Sequence, residues 1–149
     1  MSVLLSCVTL SAAPKKVAVY VTGDISHENR STVSSAVLAR MSGNKDFEAY
    51  ERNDKFVDVL DKEQDYQVSG EVPEKEIRAV GARCGVDYVI AVSVEISHDR
   101  KVNMSGKLIE LESAKIEKTV SLTREYTDSS VLASLAKNVT YRLTNRNSK

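Results

Sequence analysis

The sequence predicts an α/β sandwich: a five-stranded mixed sheet with helices packed on it, in the order β-α-β-α-α-β-β-β-α. Three observations predict it. Runs of alternating apolar residues interleave with runs of helical spacing through the first two-thirds of the chain. Three alternating runs then follow one another from Tyr88 to Thr123, separated only by turns, which reads as an antiparallel meander. Apolar residues make up 42% and charged residues 28% of 149 residues, ordinary for one soluble domain with its own core.

The elements follow in order. Val17, Val19 and Val21 alternate with Ala18, Tyr20 and Thr22, a first strand buried on at least one side. Gly23-Asp24 ends it. A helix follows from the polar stretch Ser26–Arg30, because Val33, Val37 and Met41 recur at i, i+4 and i+8. Ser42-Gly43-Asn44 stops it. Phe47, Ala49 and Glu51 read as a short second strand. Asn53 or Asp54 then caps a second helix with Phe56, Val57 and Leu60 as its stripe, leaving the helix near Tyr66.

Pro73 fits a first helical position, where its missing N–H costs nothing. Ile77, Val80 and Cys84 continue that helix, Gly81 marks a close crossing, and Gly85 is the stop. Tyr88, Ile90, Val92, Val94 and Ile96 share one face of the strongest strand. Val89 and Ala91 make its other face apolar at the start, and Ser93 and Glu95 make it wet at the end. Strands over Lys101–Leu111 and Lys115–Thr123 complete the meander. Asp128 caps a last helix lined by Leu132, Leu135, Ala136, Val139 and Leu143. Cys84 reads as a small buried hydrophobe.

The first fifteen residues are of another kind. Ser2 to Ala13 carries no charge and is too short to span a bilayer as a helix. It has the length and small-residue ending of a secretory leader without its basic start, so 1–15 reads as a truncated signal segment. Leu4-Leu5-Ser6-Cys7 also fits a loose lipobox, which makes Cys7 the candidate lipidation site. The domain proper is then 16–144, with a flexible polar tail at 145–149.

Chemistry is sparse. Lys+Arg and Asp+Glu are 21 each, Trp is absent and aromatics are 5%, so nothing suggests nucleic acid. No phosphate loop, Cys-x-x-Cys, His-Glu-x-x-His or Gly-x-Ser-x-Gly occurs. Asp24, His27 and Glu28 are the one compact set of metal-capable side chains, a weak candidate because no partner set completes it. No cofactor is expected.

One longer pattern is more specific. Glu51-Arg52 is followed by Glu63-Gln64, Ser69-Gly70 and Gly85-Val86-Asp87-Tyr88, with Leu108-Ile109-Glu110-Leu111-Glu112-Ser113 beyond. Across about residues 16 to 143 this order resembles the superfamily of the curli-secretion lipoprotein CsgG, the TolB amino-terminal domain and the penicillin-binding-protein activator LpoB. Ala114 departs from it, standing where the turn Gly is expected. Since Ala does not enter φ > 0 cheaply, another turn geometry is expected there. No match to the membrane-inserting hairpins of the curli pore is present, so pore formation is not implied.

The resemblance implies a non-enzymatic module of the bacterial periplasm that binds other envelope proteins, often tethered to the outer membrane; Cys7 is the candidate tether, with Ser11-Ala12-Ala13 as the alternative, ordinary cleavage site. Such a module assists envelope assembly or regulates a cell-wall enzyme. A ring-forming, homo-oligomeric subunit of a secretion or transport apparatus is the first alternative. A small-molecule or metal-binding enzyme built on the Asp24, His27 and Glu28 loop is the second. The motif residues themselves read as structural. The segment 63–71 and the loop 23–30 are the candidate partner surfaces.

Overall fold

A computed structural model describes residues 13–65 and 73–145. The leader with Cys7, the segment 66–72 with Ser69 and Gly70, and the tail residues 146–149 lie outside the described residues. The elements are β1 (Lys15–Thr22), α1 (His27–Met41), β2 (Phe47–Ala49), α2 (Asn53–Asp65), α3 (Glu74–Cys84), β3 (Tyr88–Ile96), β4 (Lys101–Glu110), β5 (Lys115–Glu125) and α4 (Ser129–Thr144). The sheet order is β2-β1-β3-β4-β5. β1 pairs in parallel with β2 and β3, and β3, β4 and β5 form the antiparallel meander. The element order and mixed sheet are those the sequence predicts.

Helix ends follow local chemistry. Ser26 Oγ accepts from the Asn29 N–H at 3.1 Å to open α1, and an Asp128 carboxylate oxygen accepts from the Ser130 N–H at 2.8 Å to open α4. Pro73 sits one place earlier than expected, at the N-cap of α3, and Gly85 ends that helix at φ 75°. The last turn of α4 is held to the sheet by Lys118, whose Nζ donates to the Asn145 carbonyl at 2.6 Å.

Three expectations are corrected. Glu51 is not in a strand: β2 stops at Ala49, because the Tyr50 N–H makes the last ladder bond, to the Val17 carbonyl at 2.8 Å, before the chain turns. Asn53 is not a cap; it begins α2 and turns its side chain to β1. Ala114 takes φ 56° after all, so the turn keeps the left-handed geometry at a cost of about 1 kcal/mol.

Two cores flank the sheet. On one face Val17, Val19, Val21, Ile90, Val92, Val94, Met104 and Leu108 meet Val33, Val37 and Met41 of α1 and Leu132, Leu135, Val139 and Leu143 of α4. Gly106 lets α4 lie close, since a Cβ there would fall 2.5 Å from Val139 Cγ1. On the other face Ala18, Tyr20 and Val89 meet Phe56 and Leu60 of α2 and Ile77 and Val80 of α3. Cys84 is half-buried beside this second core rather than fully buried.

The edge of β1 is completed in an unusual way. The Lys15 N–H donates to the Asp46 carbonyl at 2.9 Å, and the Val17 carbonyl accepts from Tyr50. One step on, where β2 has ended, Asn53 Oδ1 accepts from the Val19 N–H at 2.8 Å and Asn53 Nδ2 donates to the Val19 carbonyl at 3.1 Å. The buried carboxamide stands in for the missing peptide of a neighbouring strand, so neither Val19 group is orphaned.

Candidate functional site

The motif residues that the structure describes gather at one end of the sheet, where β1 and β3 begin and β4 ends. Asp87 acts as a clamp on β1. Its N–H donates to the Lys16 carbonyl at 2.9 Å, and its carboxylate Oδ2 accepts from the Lys16 N–H at 2.9 Å. Its carbonyl accepts from the Leu111 N–H at 3.1 Å. One residue therefore joins β1, β3 and the end of β4, which gives the Gly85-x-Asp87 spacing a structural cause. Glu51 and Arg52 are exposed in the turn after β2. With Lys16, Glu48 and Tyr50 they line a depression of about 370 Å³. Glu63 and Gln64 fall within α2 and do not belong to this end group.

Tyr88 carries the densest electrostatics. Its ring packs edge-on to Phe47, with centroids 5.4 Å apart. Its hydroxyl lies 3.2 Å from Glu110 Oε2 and 3.1 Å from Glu117 Oε1. Register explains why two carboxylates converge. Leu108 pairs with Lys118 and Ile109 with Ile116, so Glu117 is the extra residue of a β-bulge. Bulges re-aim side chains, and this one turns Glu117 toward Tyr88. Burial, then the hydrogen bond from Glu110, raises the Glu117 carboxyl above its ordinary value; the hydrogen bond from Glu117 holds Glu110 below its own. Burial first, and then these carboxylates, raise the Tyr88 hydroxyl. The alternation of β5 hides this cluster in the sequence, because a bulge carries no residue signal there.

The loop set does not converge. Asp24 lies in the turn after β1, while His27 and Glu28 open α1, and all three are exposed. His27 and Glu28 instead border a shallow groove between α1 and α4 with Ser31, Ala133 and Lys137. Among the described residues no group of three or more His, Cys, Asp or Glu is placed to hold a metal ion. No helix among them is long and apolar enough to cross a membrane.

This α/β architecture, rather than any catalytic constellation, defines the class of the protein. No protein-family model matches the sequence, and no curated protein matches it. Solved structures do match. A PelC dodecamer from Paraburkholderia phytofirmans is 15% identical with a TM-score of 0.57, covering 91% of this chain and 90% of that one. The LpoB C-terminal domain from Salmonella enterica is 13% identical with a TM-score of 0.54, covering 78% and 87%. A lipoprotein from Neisseria meningitidis is 14% identical with a TM-score of 0.53, covering 90% and 99%. At such identities the likeness shows the fold. That fold is the one the sequence resemblance implies, since TolB and LpoB are both among the matching structures.

Proposed function

We propose that this chain is a non-enzymatic protein-interaction module of the bacterial periplasm, held at the outer membrane through a lipidated Cys7. The observation that carries this reading is the match to the Neisseria lipoprotein over nearly the whole of both chains. That neighbour, matched over 90% of this chain and 99% of its own, is a lipoprotein. The charged end around Glu51, Arg52, Tyr88, Glu110 and Glu117 is the partner surface on this reading. It is rigidly seated, because Asp87 and Phe47 fix its base.

The test is expression from the native upstream region, followed by fractionation, intact mass and cross-linking in the envelope. The expected result is a mature chain beginning at Cys7 with acyl mass in the outer membrane, cross-linked to a specific envelope protein. An uncleaved chain in the cytosol would sink the proposal.

A second reading, a ring-forming subunit, is favoured by one observation: the PelC structure that matches is a dodecamer. A monomer in light scattering across the micromolar range would remove it.

A further inference from the structure

Among the described residues, α2 and α3 cover half of the second face of the sheet, and the other half is organised. Register places side chains in transverse rows. Ala18, Val89, Ile109 and Ile116 form one row, of which the first three are buried and Ile116 is exposed. Two residues along the strands the row is Tyr20, Ala91, Lys107 and Thr119. Two further on it is Thr22, Ser93, Ser105 and Ser121, four hydroxyls side by side across four strands. At about 4.8 Å per strand this row runs about 14 Å. Ser105 Oγ and Ser121 Oγ lie 3.2 Å apart, so it is partly ordered by its own hydrogen bonding.

A cavity of about 230 Å³ opens where the cover of α3 ends. Its floor includes Ser93, Ser105, Lys107 and Ile109, and its wall is Glu74 and Ile77 of the first turn of α3. Glu74 and Lys107 thus border one cavity with opposite charges. Neither makes an ion pair or a side-chain hydrogen bond with any described residue. The helix dipole favours an acid at Glu74. It accounts neither for Lys107 nor for the hydroxyl row. A merely solvated sheet face would be flat; this one is walled, apolar at Ile77 and Ile109, and charged at both signs. The volume lies below the roughly 300–1,000 Å³ of sites for drug-sized ligands, so the occupant is small.

We propose that this cavity binds a small zwitterion, a free amino acid or a dipeptide. Its ammonium meets Glu74, its carboxylate meets Lys107 and the hydroxyls of Ser93 and Ser105, and its side chain rests on Ala91 and the edge of Ile77. This goes beyond the envelope role proposed above and does not depend on it.

The test is a titration of the isotope-labelled full chain with alanyl-alanine, followed by amide chemical shifts. Saturable shifts at Ile77, Ser93, Ser105 and Lys107 are expected. Glu74→Gln and Lys107→Gln should each weaken binding by about tenfold or more with the melting temperature unchanged, as removal of a charge-assisted contact implies. The doubly blocked dipeptide, acetylated and amidated, should not bind. The proposal is overturned by the absence of saturable shifts at about 10 mM, a concentration at which even millimolar affinity would show. It is equally overturned if the blocked dipeptide binds as well as the free one. Shifts from a neutral oligosaccharide and none from the dipeptide would assign the row to a glycan and also overturn it.

Discussion

The two faces of the sheet start from the same alternation and end differently. On one face α1 and α4, of 15 and 16 residues, pack against each other and between them reach β1, β2, β4 and β5. On the other, α2 and α3, of 13 and 11 residues, lie mainly on β1 and β3. The long pair buries β1, β3 and β4 through most of their length on its face; the short pair covers only the first rows. Polar residues begin where cover ends: Ser93, Ser105 and Ser121 take the positions that Val89, Ile109 and Ile116 take two rows earlier. Helix length and placement, more than strand sequence, decide how much of a face becomes core.

The largest expected effect breaks the covered face. Leu135, 2% exposed at the centre of α4, should cost about 3–4 kcal/mol as Leu135→Ala, read as a lower denaturant midpoint at unchanged slope. A loss under about 1 kcal/mol would mean that α4 repacks freely, against the close seat described for it. Next comes the strand edge under the smaller core. Asn53→Ala orphans both the N–H and the carbonyl of Val19 and should cost about 2–3 kcal/mol. Asn53→Asp keeps an acceptor for the N–H but offers no donor to the carbonyl, so it should recover only part of that loss.

Two glycines compare the faces directly. A Cβ at Gly106 would lie 2.5 Å from Val139 Cγ1 and 2.8 Å from Leu143 Cδ1, while one at Gly81 would lie 2.8 Å from the tip of Leu111 and a less severe 3.1 Å from Val89 Cγ2. Val139 is stiff and fully buried; the Leu111 tip can swing aside. Gly106→Ala should therefore destabilise by about 1–3 kcal/mol. Gly81→Ala should be near neutral, because about 1 kcal/mol of helix propensity offsets the crowding. Equal penalties in thermal melts would contradict the difference in packing.

The smallest effect is alkaline. Burial, and then the Asp61 carboxylate, raise the Tyr20 hydroxyl to about 12. The native chain keeps this proton while the unfolded chain loses it above about pH 10. This contribution to stability is whole below that pH and falls as pH rises toward 12. In an ultraviolet titration Tyr20→Phe should remove one late-ionising phenol, and Tyr88→Phe, on the opposite face, should remove another. An unchanged titration curve in Tyr20→Phe would show that Asp61 and burial do not hold that proton.

Much of this molecule is legible in its residues. The spacing of Val33, Val37 and Met41, the caps Ser26 and Asp128, and the stop at Gly85 rest on local periodicity and local hydrogen bonds. The short β2 was placed but overextended to Glu51, because an edge strand ends where its partner's hydrogen bonds end and not where alternation ends. The motif from Glu51 to Tyr88 includes Asp87 and Tyr88, which lie at the end of the sheet where β1 and β3 begin. It did not reveal Glu110 and Glu117 as the companions of Tyr88, because register and a bulge bring them there. The loop of Asp24, His27 and Glu28 looked compact along the chain, yet the first turn of α1 directs its members apart.

By itself, then, the sequence determined the kinds and order of the elements and the mixed sheet. These depend on local propensity and on which residues seek burial. Tertiary structure alone decided that Asn53 completes the edge of β1, that Asp87 ties three strands together, and that Glu74 and Lys107 border one cavity. Each of those joins residues more than thirty positions apart or on different strands, and their proximity is set by how the sheet orders its strands and how far each helix reaches across it.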